Sequence, residues 1–344
     1  MADAPERLSA QAIVDRDGLV WLPYDLPYLS SPRSAFTPLA DLLQVHNANI
    51  APVHIDYANT QSLHILNGMG VALGDSVIGL AVLHGLKQSY PHLQITLHRS
   101  PNAPRYVDEI YTLASAFVNA QTLPLPLSAL NDRAATWVDL ADFMYRPAFN
   151  AQSMHAFFAI SLGLDPATLS DQTRRNNWLQ DIDRPALPEW LSPGYSLLCH
   201  RASSALRTMP ADVLRRYAKE LSERGYAPLA GFAALGLSGW YDLSDWSDSL
   251  PRLLAVIAGA RQMISVDSAA IHLAAGLGTP CHALFMGIDP ALRVVDYPLC
   301  TAEQLDMSGK LRGLHHALTA VDEIEAGNCW AHWPGHFPSR PGTD

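Results

Sequence analysis

The chain has 344 residues, and 49% of them are hydrophobic, so it is long enough to bury two sizeable cores. Its formal net charge of −10 opposes nonspecific attraction to nucleic acid or anionic lipid, because those partners require clustered Lys and Arg. The longest strongly apolar stretches, at 77–86 and 253–260, fall short of the roughly 18 to 20 residues that a membrane helix needs. Composition therefore argues against a nucleic-acid-binding protein and against an integral membrane protein.

The opening residues and the cysteines bear on the cellular compartment. The N-terminal sequence MADAPERLSAQ contains acidic residues and lacks the basic segment and apolar core of a secretory signal. The cysteines lie far apart without any C-x-x-C pair, which argues against a disulfide framework and against a zinc ribbon. We therefore expect a cytoplasmic protein with buried thiols at Cys199, Cys281, Cys300 and Cys329.

Residues 1–60 are rich in Pro, Asp and Tyr and contain only short strand-like pieces such as 19–22. We interpret them as an N-terminal extension.

A regular pattern begins with an apolar strand at 63–66 and a glycine-rich turn at 68–74. Asp75 and the serine after it open an apolar helix that is expected to stop before Pro91. Apolar and polar residues then alternate over 93–98, which predicts a second strand. These elements form a βαβ unit.

The alternation of helices and strands continues to about residue 163. Between Asp181 and Gly194 the stretch DIDRPALPEWLSPG contains three prolines and no periodicity, which is typical of an interdomain connection. We place the domain boundary at about residue 185. The elements predicted before it are a helix near 104–117, a strand at 136–140 and a helix at 152–162.

A second alternating series follows, so the predicted fold class is α/β with two doubly wound, Rossmann-like domains. In such a tandem the best ligand site is the central cleft at the carboxyl ends of the strands. The predicted domains are a first Rossmann-like domain at 61–185, a second Rossmann-like domain at 186–310, and a C-terminal helix and tail at 311–344. The second series comprises strands at 195–199, 227–232, 262–266 and 281–285 and helices at 211–224, 250–260, 268–277 and 311–326.

The glycine-rich turn has the spacing Gly68-x-Gly70-x-x-x-Gly74-Asp75, which differs from the G-x-G-x-x-G of dinucleotide sites. Its glycines let the backbone turn tightly and let a substrate approach closely. Asp75 lies at the helix start, where the helix dipole keeps a carboxylate ionised and ready to accept a proton. The alternative is that Asp75 is a plain helix cap.

A second motif, SVDSAAIHLAA at 265–275, joins the end of a strand to the start of a helix. The free backbone N–H groups from Ser268 onward are predicted to point at an anion such as a diphosphate. His272, one turn later, is a candidate donor to phosphate or sugar. The alternative is that Asp267 or Ser268 only caps the helix and that His272 packs in the core.

A third motif, HRASSALR at 200–207, follows the first strand of the second series and therefore lies on the cleft side. The hydroxyls of Ser203 and Ser204 and the guanidinium of Arg207 suit a phosphate. The alternative is a solvated arginine without a ligand.

Two further patterns carry less weight. Cys329-x-x-His332-x-x-x-His336 has ligand types at metal spacing, but it lies in a Trp- and Pro-rich tail, and we predict no metal site. His315 and His316 fall on the predicted last helix, where neighbouring side chains point about 100° apart. We interpret that pair as structural.

Two segments, GMGVALGDSVIGLAVLHGLKQSYP at 68–91 and ISVDSAAIHLAAGLGTPCHALFMGIDP at 264–290, resemble the signature regions of the heptosyltransferase-like family, glycosyltransferase family 9. Their order and separation also match, and the resemblance covers roughly residues 62–325. It implies a GT-B fold with the acceptor on the first domain and the nucleotide-sugar on the second. It also implies inversion at the anomeric carbon without a metal or other cofactor.

The resemblance assigns roles to individual residues. Asp75 matches the family's catalytic aspartate, which takes the proton from the acceptor hydroxyl, and Gly70 and Gly74 match the acceptor-side loop. Asp267, Ser268 and His272 match the family's D-S-G-x-x-H pattern. The implied donor-binding residues are Ser203, Ser204, Arg207, Asp267, Ser268, Ala269 and His272.

Several positions depart from the family pattern. Ala269 stands where the family has glycine, and its Cβ would crowd a close phosphate. Arg207 replaces a lysine, Met209-Pro210 replaces Trp-Pro, and residues 286–290 shift the usual F-G-P-T-D-P. These changes bear on the identity of the donor more than on the fold.

The leading hypothesis is an inverting glycosyltransferase of lipopolysaccharide biosynthesis. It would move heptose or a related sugar from an ADP-linked donor to a saccharide or glycolipid. We expect no nucleic-acid partner, and a glycolipid acceptor would bring the protein only transiently to the inner face of the membrane. One alternative is a noncatalytic GT-B protein that has lost turnover, motivated by Ala269 and by residues 286–290, although Asp75 argues against it. Another is a nucleotide-sugar epimerase, which would need further acid and base residues that the sequence does not reveal.

Overall fold

The computed structural model describes residue 8 and residues 10–132 and 134–335. The chain divides into two compact units, Met1–Arg174 and Arg175–Asp344. This division lies before the predicted boundary near residue 185. The reason is that the short 3-10 helix Asn177–Asp181 packs on a helix of the second unit.

Eight strands of the first unit form two sheets. Each sheet has four strands. The larger sheet has strands of four to six residues and contains the predicted βαβ strands. The smaller sheet has strands of two or three residues and is made largely by the N-terminal extension. The strands are β1 (Ile13–Val14), β2 (Leu19–Trp21), β3 (Thr37–Pro38), β4 (Ser62–Leu66), β5 (Gln94–Arg99), β6 (Asn119–Thr122), β7 (Leu125–Pro126) and β8 (Ala135–Asp139).

The larger sheet is parallel, with the strand order β6-β5-β4-β8, so its order reverses between β4 and β8. The smaller sheet is antiparallel, with the order β3-β1-β2-β7. Val14 and Val20 of the small sheet share one apolar cluster with Leu66 and Trp137 of the large one. The N-terminal extension is therefore part of the first unit's core.

One apolar helix of 17 residues, α1 (Leu73–Ser89), follows the glycine-rich turn, and most of its side chains are buried. It ends before Pro91, as predicted, because proline cannot supply the next helical N–H. Within the described part of the chain, no helix is both long and apolar enough to cross a membrane. The other helices of the unit are α2 (Arg105–Leu113), α3 (Met154–Ser161) and α4 (Asp171–Arg174).

The second unit contains one six-stranded parallel sheet, made of β9 (Ser196–Cys199), β10 (Leu229–Gly231), β11 (Trp240–Asp242), β12 (Gln262–Val266), β13 (Cys281–Phe285) and β14 (Cys300–Gln304). Its strand order, β11-β10-β9-β12-β13-β14, is the Rossmann order 3-2-1-4-5-6 when the strands are counted from β9. The predicted α/β class with parallel sheets is thus confirmed. The helices are α5 (Ala211–Glu223), α6 (Leu250–Gly259), α7 (Ala269–Leu277) and α8 (Ala320–His332).

The last helix, predicted at 311–326, runs from Ala320 to His332, so both of its ends were predicted too early. Residues 311–319 form turns, in which Gly313 adopts a left-handed φ of 82°. The helix begins at Ala320 because Thr319 and Asp322 form a reciprocal capping box there. His315 and His316 therefore lie in the turn segment rather than on a helix.

Candidate functional site

The strand order of the second unit brings two of the three sequence motifs together. β9 and β12 are neighbours, and Cys199 pairs with Ser265 near their carboxyl ends. The loops that follow these strands contain residues 200–207 and 265–268. Because the strand order reverses between them, this is the edge at which doubly wound sheets bind ligands.

Arg207 joins the two loops through Nη1, and its other two guanidinium nitrogens contact serines of its own loop. Nη1 lies 3.2 Å from Oδ2 of Asp267 and donates to the Asp267 carbonyl at 3.0 Å. Nη2 donates to Ser203 Oγ at 2.8 Å, and Nε donates to Ser204 Oγ at 3.3 Å. The Arg207 side chain is only 13% exposed, so it is a paired and largely buried group rather than a solvated one.

Ser268 caps α7, because its side chain accepts a hydrogen bond from the Ala270 N–H at 3.3 Å. Its hydroxyl also lies 3.2 Å from Ser265 Oγ. Ala269 is the first helical residue, and the N–H groups of a helix's first turn have no partner within the helix. The capping alternative thus holds for Ser268, and the positive end of the α7 dipole directly follows the loop in which Arg207 contacts Asp267.

His272 is almost fully buried on α7, with 5% of its surface exposed. Its Nδ1 lies 2.8 Å from the Tyr297 hydroxyl. Asn176 Nδ2 donates to that hydroxyl at 2.9 Å and to the His272 carbonyl at 3.3 Å. This network fixes the imidazole in place, as the packing interpretation of His272 expects.

Two further side chains lie near this edge, Arg293 and His315, and the second was interpreted from the sequence as structural. His315 accepts a hydrogen bond from Ser204 Oγ through its carbonyl at 2.8 Å. Burial, helped by the nearby charge of Arg293, lowers the pKa of His315 to about 4, so the imidazole is neutral at pH 7. Arg293 is itself buried. The position of His315 depends on the turns at 311–319, which were predicted as helix, and no local pattern in the sequence marks Arg293.

A different set of residues meets at the corresponding edge of the first unit, where β4 and β8 are neighbours. The glycine turn follows β4, and Gly70 has a φ of 95°. A Cβ on Gly70 would lie 2.8 Å from the Phe143 ring, so the position requires glycine for both conformation and space. Gly74 instead lies within the first turn of α1.

Tyr111 of α2 holds the glycine turn in place. Its buried hydroxyl accepts from the Met69 N–H at 2.9 Å and donates to the Gly70 carbonyl at 3.2 Å. Burial raises the pKa of Tyr111 to about 12, so the hydroxyl stays protonated and able to donate. Sequence reasoning missed this residue, since nothing in a predicted helix identifies a tyrosine that contacts a distant turn.

Asp75, in the first turn of α1, lines a cavity of about 440 Å³ in the first unit. A second carboxylate, Asp142, lines the same cavity and has a left-handed φ of 49°. Burial and the nearby Asp139 raise the pKa of Asp142 to about 6. The remaining lining includes Tyr24, Tyr28, Arg33, Gly70, Phe143 and Tyr145.

Of the metal pattern in the tail, the described residues include Cys329 and His332, and no group of three or more metal-ligating side chains occurs among the described residues. His332 Nδ1 lies 2.8 Å from the Asn328 carbonyl, one turn back on α8. His336 falls outside the described residues.

Several solved structures resemble this chain at low identity. The E. coli heptosyltransferase WaaC with ADP is 17% identical, with a TM-score of 0.47, over 71% of this chain and 93% of that one. E. coli ADP-heptose lps heptosyltransferase II is 14% identical, with a TM-score of 0.45, over 78% and 98%. The glycosyl transferase family 9 structure from Veillonella parvula is 13% identical, with a TM-score of 0.46, over 74% and 87%.

No curated protein sequence matches this chain significantly. Residues 248–293 match the family model described as glycosyltransferase family 9 (heptosyltransferase). This segment contains the second motif, with α7 and the loop before it, whereas the first motif lies outside it. The resemblance to glycosyltransferase family 9 that the motifs indicated is thus confirmed by the match over residues 248–293.

Proposed function

We propose that this protein is an inverting glycosyltransferase that moves a sugar from a nucleoside-diphosphate donor to a saccharide or glycolipid hydroxyl. The proposal depends on one observation. Arg207, with Ser203 and Ser204, and the N-terminus of α7 both lie where the strand order of the Rossmann sheet reverses. The family match at residues 248–293 covers the α7 side of this edge and ends short of the loop that contains Arg207.

The charges at this edge favour a diphosphate. Arg207 places a guanidinium here, 3.2 Å from Asp267, and the buried Arg293 lies near enough to lower the pKa of His315. The N-terminus of α7 adds partial positive charge. A leaving nucleoside diphosphate gains negative charge during transfer, so cations fixed in advance at this edge stabilise it without reorganisation.

Two of the similar structures are of E. coli heptosyltransferase WaaC, one with ADP and one with ADP-2-deoxy-2-fluoro heptose. We therefore propose an ADP-linked, heptose-like sugar as the donor. Ala269 would narrow the space next to the phosphates in comparison with glycine. If that Cβ blocks the donor, the noncatalytic alternative holds, and Ala269→Gly would restore binding.

Asp75 is the proposed general base. Its position in the first turn of α1 places it at the positive end of the helix dipole, which favours the ionised carboxylate at neutral pH. As the acceptor oxygen bonds to the anomeric carbon, Asp75 would take the hydroxyl proton, and the bond from that carbon to the diphosphate oxygen would break.

The test is Asp75→Asn in the full-length protein, assayed by ADP release from ADP-heptose with a panel of saccharides. The amide cannot accept the proton, so we expect release to fall by about 100-fold or more. Stabilisation by ADP should remain, because Asp75 lies in the first unit and the proposed donor site in the second.

Asp212→Asn is the matched control, because Asp212 also lies in the first turn of a helix but is exposed on α5. It should retain full activity. Turnover by Asp75→Asn equal to that of the control would remove Asp75 from the mechanism.

A further inference from the structure

Two cysteines occupy equivalent positions at the start of neighbouring strands in the second unit. Cys281 is the first residue of β13 and Cys300 is the first residue of β14, and the two are direct register partners. The strands are parallel, so their amino ends share one edge of the sheet. The proposed nucleotide site lies at the opposite edge, beyond the carboxyl ends of β9 and β12. The cysteine pair is therefore separate from that site.

The register gives the pair a separation that suits a disulfide bond. Neighbouring strands lie about 4.7 to 4.9 Å apart, and the Cα atoms of bonded cysteines lie about 4.4 to 6.8 Å apart. Register partners also project their side chains from the same face of the sheet. A hydrogen bond between the two thiols, together with burial, raises the pKa of Cys281 well above its usual value. The two sulfur atoms thus face each other in the reduced protein.

Cys199 is too far away to compete for Cys281. It lies on β9, and β12 separates β9 from β13 in the sheet. Two strand spacings, about 9 to 10 Å, therefore lie between the backbones, which exceeds the range for a disulfide. The sulfur of Cys199 instead lies 3.6 Å from the sulfur of Met263 on the intervening strand. Among these strands, the register leaves Cys300 as the partner of Cys281.

A cavity of about 290 Å³ gives access to the pair. Both cysteines line it, together with Asn177, Gln180 and Thr279. All four cysteines were expected to be buried, but Cys300 is partly exposed because β14 is the edge strand of the sheet. Cys281 is only 6% exposed. The volume is close to the lower limit of about 300 Å³ for small-molecule pockets, so a small reagent can reach Cys300 first.

We propose that Cys281 and Cys300 are a redox-sensitive pair, which a low-molecular-weight disulfide converts into an intramolecular disulfide bond. The thiolate of Cys300 attacks one sulfur of the small disulfide, whose S–S bond breaks as the mixed disulfide forms. The thiolate of Cys281 then attacks the Cys300 sulfur, and the mixed disulfide breaks as the protein disulfide forms.

The reaction balances without any further reagent. Each attacking cysteine loses its thiol proton, and each leaving sulfur takes one up. Two protein thiols are oxidised, and one small disulfide is reduced to two thiols. The second step is intramolecular and the two sulfurs already face each other, so the mixed disulfide should be short-lived. The inference does not depend on the proposed function.

The experiment treats the full-length native protein with oxidised glutathione at pH 8.5, where more of each thiol is ionised, and then blocks the remaining thiols with iodoacetamide. Trypsin cuts after Arg261, Arg293 and Lys310, so Cys281 and Cys300 fall in different peptides, 262–293 and 294–310. Mass spectrometry should show these two peptides joined, with the loss of two hydrogens and without glutathione. Dithiothreitol should restore both free thiols.

Two variants separate the steps, and a third is the control. Cys281→Ser should stop the reaction at the mixed disulfide, so that Cys300 keeps one glutathione. In Cys300→Ser, glutathione should attach to Cys281 about tenfold more slowly or worse than it attaches to Cys300 in Cys281→Ser, because Cys281 is buried. Cys329→Ser is the matched control, since Cys329 is also partly exposed but lies on α8, and it should form the same cross-link.

Three results with the wild type would each overturn the proposal. They are glutathione that stays on Cys300, a cross-link that contains Cys199 or Cys329 instead, and four thiols that all remain free. Nucleotide binding tests the transferase assignment separately, because the cysteine pair lies at the other edge of the sheet.

Discussion

Asp75 and Asp142 line one cavity but differ in their electrostatic settings. Asp75 lies at the positive end of α1, whereas Asp142 is largely buried, near Asp139, with its pKa raised to about 6. The glycine spacing was sufficient to single out Asp75. Asp142 has no such pattern, because its position depends on β4 and β8 being neighbours, which one sequence does not reveal.

Asp142 is expected to lower the stability of the fold at neutral pH. Its pKa is about 6 in the folded protein and about 3.9 in an unfolded chain, so between those values the folded state binds more protons. Stability contributed by this group is present below about pH 4 and is lost as the pH rises through 6. Asp142→Asn should therefore be more stable than the wild type at pH 7, by on the order of 1 to 2 kcal/mol.

Thermal unfolding of both proteins at pH 4 and pH 7 measures this effect, with Asp212→Asn as the exposed control. Asparagine also tolerates the left-handed conformation of residue 142, so backbone strain does not contribute to the difference in stability between Asp142→Asn and the wild type. The advantage of Asp142→Asn should shrink towards pH 4. An equal advantage at both pH values would show that the carboxyl group's ionisation is not the cause.

At the scale of elements, Arg207 links the loops after β9 and β12 in the second unit. Both loops were predicted as ligand-binding from their place after strands. Their ion pair was not predicted, because it follows from the strand order. The start of α8 was also missed, since the capping box at Thr319 ends the turn segment in a way that apolar spacing at 311–326 does not reveal.

Arg207→Met should lower the free energy of unfolding by about 3 kcal/mol, because it leaves the carboxylate of Asp267 buried without its cation. Adding Asp267→Asn should recover much of that loss by removing the unpaired charge. Urea denaturation measures both variants, with Arg215→Met on the exposed face of α5 as the control. A double variant as unstable as Arg207→Met would mean that the ion pair is not the main contribution of Arg207.

At the scale of the whole molecule, each unit carries a candidate site at the reversal point of its own parallel sheet. Sequence alternation was enough to predict two α/β units, because long helices and strands leave clear periodic patterns. It did not predict that the extension completes the first unit, since β1, β2 and β3 are only two or three residues long. Their pairing is decided by contacts with Leu66 and Trp137, far away in the sequence.

Hydrogen exchange of the full-length protein should separate the two sites. ADP is expected to slow amide exchange in residues 200–208 and 265–272, because the proposed phosphate contacts lie there. Exchange in the glycine turn at 67–76 should not change. Protection of the turn as strong as that of the second unit's loops would place the nucleotide elsewhere.

The central claim is that the second unit binds a nucleoside diphosphate through Arg207 and the start of α7. Its most direct test is a titration of the wild type, Arg207→Met and Arg215→Met with ADP, UDP, GDP and NAD, following the unfolding temperature and tryptophan fluorescence. The account predicts that one nucleoside diphosphate, with ADP expected, raises the unfolding temperature of the wild type and of Arg215→Met but not that of Arg207→Met. No response of the wild type to any nucleotide, or an equal response of Arg207→Met, would contradict it.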